Sequence, residues 1–203
     1  MEASRFLCPE APALKPLVAT PPHPACVGSR KGLKTADLLT IQERRGQLEG
    51  IKLAYAGDVF NVCHSLMISG SLMGLEVWVA RPPGYEPAAR VMEFVQRQSH
   101  AANIHLVEDL EEALTEADVV YGNTWHSMGV ANVEQRLRDF APYQINQRAM
   151  AIAKPDAIFM HCLPGYRGED MADKVIEGAQ SVVFDQAENR MHTEKALLYL
   201  LLR

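Results

Sequence analysis

Several features are missing from this 203-residue chain: an excess of basic charge, long apolar runs, paired cysteines and a glycine-rich phosphate fingerprint. Twenty Lys and Arg stand against twenty-five Asp and Glu, a formal net charge of -5, so nothing offers a footprint for nucleic acid. The longest apolar runs are a few residues, far short of the roughly 20 that cross a bilayer, and no membrane partner is expected. The four cysteines, Cys8, Cys26, Cys63 and Cys162, show no CxxC spacing, and no secretory apolar core precedes them; they read as reduced thiols of a cytoplasmic protein. Glu2 and Glu10 interrupt any organelle transit pattern. His161 and Cys162 are neighbours that point to opposite faces if their strand continues, and no second His or Cys pair stands at ligand spacing. No metal is therefore expected.

What is present is the composition of a globular domain, 48% hydrophobic and 22% charged. Six of the twelve prolines (Pro9, Pro12, Pro16, Pro21, Pro22, Pro24) crowd the first 24 residues, where a ladder of backbone hydrogen bonds cannot form. Residues 1–32 are expected to be an irregular or disordered lead, and 33–203 one α/β domain. From Leu33 the pattern alternates. LKTADLLTIQERRG reads as a helix capped by Gly46, IKLAYAGD as a buried strand, and Asn61 to Met73 as a helix ended by Gly74. Strands LEVWVA, NIHLV, DVVYGN, AIFMHC and SVVF alternate with further helices. This predicts a Rossmann-like three-layer domain whose mostly parallel sheet has five to six strands. In such sheets ligands bind beyond the carboxyl ends of the strands.

The residues at those ends are the candidates for chemistry. GDVFNVCHS follows the first strand and leads into a helix; it is not G-x-G-x-x-G, so a dinucleotide site is disfavoured. Asn61 there offers either an amide for a small polar ligand or an ordinary helix cap. After the fourth strand, Asn123 to Gly129 combine polar side chains, Trp125 and a glycine, which suits a substrate loop as well as a packed turn. After the fifth, Cys162 is either an inert buried thiol or a polar group whose pKa is lowered beside helix N-termini. Arg190, expected to open the last helix, has the fork geometry for phosphate or carboxylate, or is a solvated helix-end residue.

Taken together, ADLLTIQE, GDVFNVCHS, WHSMG, FMHCLPGYRGE and VVFDQAENR resemble the amino-acid-binding half of the aspartate and ornithine carbamoyltransferase family, over about Leu33 to Arg203. HCLP with SMG points to ornithine as the acceptor. The resemblance implies transfer of the carbamoyl group of carbamoyl phosphate to the δ-amine of ornithine, giving citrulline and phosphate without metal or redox cofactor. It implies that Asn61, Ser127 and Met128 hold the α-amino and α-carboxylate ends of ornithine. Cys162 and the Leu163 carbonyl then sit by the δ-amine, and Arg190 contacts carbamoyl phosphate. It also implies a homotrimer, and a place in arginine biosynthesis or the urea cycle.

Three departures stand out. The family's loop has Asp where this chain has Asn123, the anion expected to pair with the ornithine ammonium. Its helix start has Asn where this chain has Phe60. Its Ser-x-Arg-Thr-Arg phosphate loop has no counterpart in the sequence. His23 and Pro24 resemble a remnant of a His-Pro-x-Gln motif, separated by Ala25 to Gly32 from ADLLTIQE, and the expectation is a truncated product whose carbamoyl phosphate site is incomplete. The alternative is a non-catalytic ornithine-binding or assembly module, or an inert fragment. The run ALLYLLL is also expected to lack part of its cover and to promote association.

Overall fold

The computed structural model describes residues 31–126 and 131–202. Most of the expected lead lies outside the described residues, as do Ser127 and Met128. Helix α1 (Lys31–Arg45) begins two residues before the expected Leu33. Then follow β1 (Lys52–Ala56), α2 (Asn61–Met73), β2 (Glu76–Ala80), α3 (Ala89–Gln96), β3 (Ile104–Val107), α4 (Leu110–Leu114) and β4 (Val119–Gly122). The chain continues through α5 (Val133–Phe140), α6 (Gln147–Ile152), β5 (Ile158–His161), α7 (Asp173–Ile176) and α8 (Val183–Leu201). Gly74 closes α2 in the left-handed conformation at φ 78°, as its position predicts.

The strands form one sheet in the order β3-β2-β1-β4-β5, with every neighbouring pair parallel. The expected sixth strand is not formed. Of SVVF, Ser181 makes a single parallel bridge to Phe159, and α8 starts at Val183. The reason is packing: Val182 and Val183 are buried against opposite core layers, so the segment satisfies its β-branched side chains without extending the sheet.

Alternation along the strands sorts the core into two layers. Leu53 and Tyr55 of β1 join Ile41, Met67, Val77 and Tyr121 on one face. Ala54 and Ala56 join Val120, Phe140, Ile145 and Phe159 on the other. Because both faces are covered, every residue of β4 and β5 is buried, the pattern a parallel sheet between helices demands. Each large side chain buried in this way contributes roughly 1.5 to 3 kcal/mol.

Helices α1 and α8 pack on each other through buried polar groups. Gln186 Nε2 donates to Asp37 Oδ1 at 2.6 Å, and Tyr121 Oη donates to Asp37 Oδ2 at 3.1 Å. Asn189 Nδ2 donates to Thr40 Oγ1 at 3.0 Å and to Glu43 Oε2 at 2.8 Å. Burial pushes the Asp37 carboxyl up to about 7, against the lowering pull of Gln186, Tyr121 and the Arg190 charge. The far end of α8 is the opposite: Leu198, Leu201 and Leu202 are 58%, 71% and 83% exposed. Among the described residues no helix is long and apolar enough to cross a membrane.

Candidate ligand site at the carboxyl edge

The chain leaves β1 toward β2 and β3 on one side of the sheet and returns to place β4 and β5 on the other. The switch in direction falls between β1 and β4, the position beyond whose strand ends ligands bind in open sheets of this kind. Two loops meet there. Asn123 N donates to Ala56 O at 2.9 Å, and Asp58 N donates to Thr124 O at 3.3 Å. Gly57 makes the approach possible: at φ 142° it lies so close that a Cβ would stand 2.4 Å from the Asn123 carbonyl oxygen.

Asn123 is 5% exposed and sits between two partners. Tyr55 Oη donates to Asp58 O at 2.6 Å, so it can receive a hydrogen only from Asn123 Nδ2, at 2.8 Å. That orientation leaves Asn123 Oδ1 to accept from Cys162 Sγ at 2.9 Å. The result is one continuous chain of hydrogen bonds from β5 through β4 to the loop after β1. Cys162 is its proton-bearing end. Burial, with Asp37 and Asp170 nearby, pushes its thiol up to about 12, although Arg190 pulls the other way. Of the two readings of Cys162, burial supports the protonated buried thiol and not the lowered pKa: removal from water outweighs the helix termini.

Asn61 is exposed at the same edge, as the first residue of α2 rather than its cap. The cap position is Phe60, which makes no side-chain capping bond and is 52% exposed. Leu163 follows Cys162 with φ 46°, and a cavity of about 510 Å³ opens beside it, lined by Pro164, Arg167, Phe184 and Arg190 among others. Arg190 does not open the last helix as expected. Because α8 starts at Val183, Arg190 stands about two turns in, half-buried, with its charge felt by Asp37 and Cys162. Asn61, Asn123, Cys162, Leu163 and Arg190 thus belong to elements that converge on one edge.

Two further arrangements were not foreseen from sequence. Arg136 of α5 is ion-paired with Asp58, donates from Nε to Trp125 O at 2.7 Å, and stacks 5.0 Å from the Tyr85 ring. It ties the loop after β1 to the loop after β4. Burial raises the Asp58 pKa, and Arg136 opposes that shift. Secondly, Gln186 Oε1 accepts from His161 N at 2.9 Å, which connects the α1–α8 network to the end of β5. The 3.6 periodicity of α5 and α8 would flag these polar positions only if their distant partners were known. Among the described residues no group of three His, Cys, Asp or Glu side chains could hold a metal ion. A roomier groove of about 810 Å³, lined by Pro82, Glu108, Tyr143 and Arg148, contains none of the converging residues. The smaller cavity is lined by two of them, Leu163 and Arg190.

A parallel sheet of this order, with these loops meeting at its switch point, belongs to a recognisable class. The model of the aspartate/ornithine carbamoyltransferase family, Asp/Orn binding domain, matches residues 49–201, and the chain belongs to that family. Several similar proteins are ornithine carbamoyltransferases. The one from Methanobrevibacter smithii is 49% identical over 171 residues, covering 83% of this chain and 57% of the relative. That from Carboxydothermus hydrogenoformans is 51% identical over 170 residues, covering 82% and 55%. The solved ornithine carbamoyltransferase from Pyrococcus furiosus superimposes with a TM-score of 0.78 at 45% identity, over 84% of this chain and 55% of that one. The chain spans a little over half the length of the curated relatives it matches.

Proposed function

We propose that the chain supplies the ornithine-binding part of an ornithine carbamoyltransferase. In that reaction the unprotonated δ-amine of ornithine attacks the carbonyl carbon of carbamoyl phosphate. A C–N bond forms, the C–O bond to phosphate breaks, and the nitrogen loses a proton, giving citrulline and phosphate. Asn61, with Ser127 and Met128, holds the α-amino and α-carboxylate ends of the substrate. The Cys162 thiol and the Leu163 carbonyl flank the δ-amine, and Arg190 reaches the carbamoyl phosphate. The observation that carries the reading is the hydrogen-bond chain Cys162–Asn123–Tyr55 at the switch point, in a member of this family. A neutral Cys162 with a pKa near 12 suits a positioning and electrostatic part and not covalent attack.

The phosphate end is less complete. No Ser-x-Arg-Thr-Arg loop occurs in the 203 residues, so the second substrate needs donors beyond Arg190. Asn123, buried in a neutral hydrogen-bond chain, favours a second reading: a non-catalytic module that binds ornithine or assembles with a partner. The proposed setting is a cytoplasmic homotrimer whose citrulline serves arginine biosynthesis or the urea cycle. Incubating the purified chain with carbamoyl phosphate and ornithine separates the two readings. Citrulline formed above a Cys162→Ala control supports the enzyme, and saturable ornithine binding without citrulline supports the module.

A further inference from the structure

We propose that His161 and Asp170 act as a positioning pair that holds the Leu163 backbone beside Cys162, an inference that rests on the ornithine reading of this edge. His161 is 1% exposed, and its ring occupies a slot between two glycines. A Cβ on Gly122 would stand 3.1 Å from its Cδ2, and one on Gly165 would stand 2.8 Å from its Cε1. Small residues on both sides let the ring lie where its two nitrogens reach opposite partners. Nδ1 accepts the Leu163 N–H at 3.0 Å, so it carries no proton. The ring proton of the neutral imidazole is then on Nε2, which donates to Asp170 Oδ2 at 2.7 Å.

Asp170 is itself fixed. Its Oδ1 accepts the Tyr166 N–H at 2.8 Å, and its carbonyl accepts the Ile145 N–H at 3.1 Å. The carboxylate therefore dictates the tautomer, the tautomer makes Nδ1 an acceptor, and the acceptor holds a leucine at φ 46°, a conformation branched side chains seldom adopt. The Leu163 carbonyl is the group read above as meeting the δ-amine, so its direction depends on this relay. A purely structural His–Asp pair would stabilise the fold equally well. It would not require Nδ1 to be the acceptor of that particular amide.

Nitrogen NMR on the full chain, with His161 assigned by comparison with His161→Asn, reads the tautomer directly, and amide exchange reads the Leu163 bond. The expected result is a proton on Nε2 and a slowly exchanging Leu163 amide. Asp170→Asn is expected to speed that exchange and to weaken ornithine about tenfold in calorimetry, the change that about 1.4 kcal/mol represents. His161→Asn, which can still present an acceptor near Nδ1, should retain more affinity than His161→Phe. If Asp170→Asn does not fold, Gly165→Ala, which crowds the ring, takes its place and should speed Leu163 exchange. A proton on Nδ1 in the wild-type chain overturns the proposal, as does a folded Asp170→Asn with unaltered Leu163 exchange and ornithine affinity. A wild-type chain that binds no ornithine defeats the functional reading alone, because the tautomer and the exchange rate still decide the role of the pair.

Discussion

The two halves of α8 obey opposite rules. From Val183 to Thr193 three of the four buried side chains are polar: Gln186, Asn189 and Thr193 are 1%, 7% and 8% exposed, beside the apolar Val183. At its far end, past Glu194 and Lys195, large hydrophobic side chains are exposed from Leu197 through Leu202. Burial of polar groups costs free energy unless every one finds a partner, so the first half must be placed by specific hydrogen bonds. Those bonds run to α1, to Tyr121 and to the His161 amide, and the last of these is one residue from Cys162. One end of the helix is tied to the end of β5 beside Cys162; the other presents a surface.

Replacing Gln186 by Leu should have the largest effect. It removes the donor to Asp37 Oδ1 and the acceptor of the His161 N–H at once, and about 3 kcal/mol of stability is expected to be lost, measured as the shift of a urea unfolding midpoint. A shift under about 0.5 kcal/mol would mean that the network is decoration.

A smaller effect is expected from pH. The folded Asp37 pKa of about 7 lies above the unfolded value near 3.9, so between them the folded state binds the extra proton. The Asp37 contribution is full below about pH 4 and is lost as pH rises toward about 7, with a slope of at most about 1.4 kcal/mol per pH unit. Asp37→Asn should remove that slope, which unfolding curves between pH 5 and 8 would display by difference. The smallest effect should come from Leu198→Glu with Leu201→Glu. Stability should stay within about 0.5 kcal/mol, while self-association in sedimentation experiments falls.

Much of the scaffold was legible in the sequence. Continuous apolar runs such as those of β4 and β5 announced a sheet buried on both faces, and Gly74 announced the end of α2. What failed depended on tertiary contacts. SVVF has strand-like side chains, yet Val182 and Val183 find separate core layers at the start of α8, and the same shift moves Arg190 away from the helix opening. The direction of the Cys162 pKa followed from burial, which no local pattern discloses. Arg136 and Asp58 are 78 positions apart, and their pairing is invisible until α5 packs under both loops. His161 was seen as a poor metal ligand, and its part in holding Leu163 emerged only with Asp170 beside it.

Asn123, where the family resemblance led to the expectation of Asp, offers the most direct test. An Asp at this position cannot donate to Tyr55 Oη, so the unliganded chain should lose about 1 to 3 kcal/mol of stability. In return it places a carboxylate where an amino-acid ammonium is expected to bind, worth roughly 1.5 to 3 kcal/mol. Calorimetric titration of L-ornithine into the wild-type chain and into Asn123→Asp should give saturable heat in both, with affinity at least tenfold tighter in the variant. Equal affinities, or no heat from either folded protein, would contradict the assignment of this edge as the ornithine site.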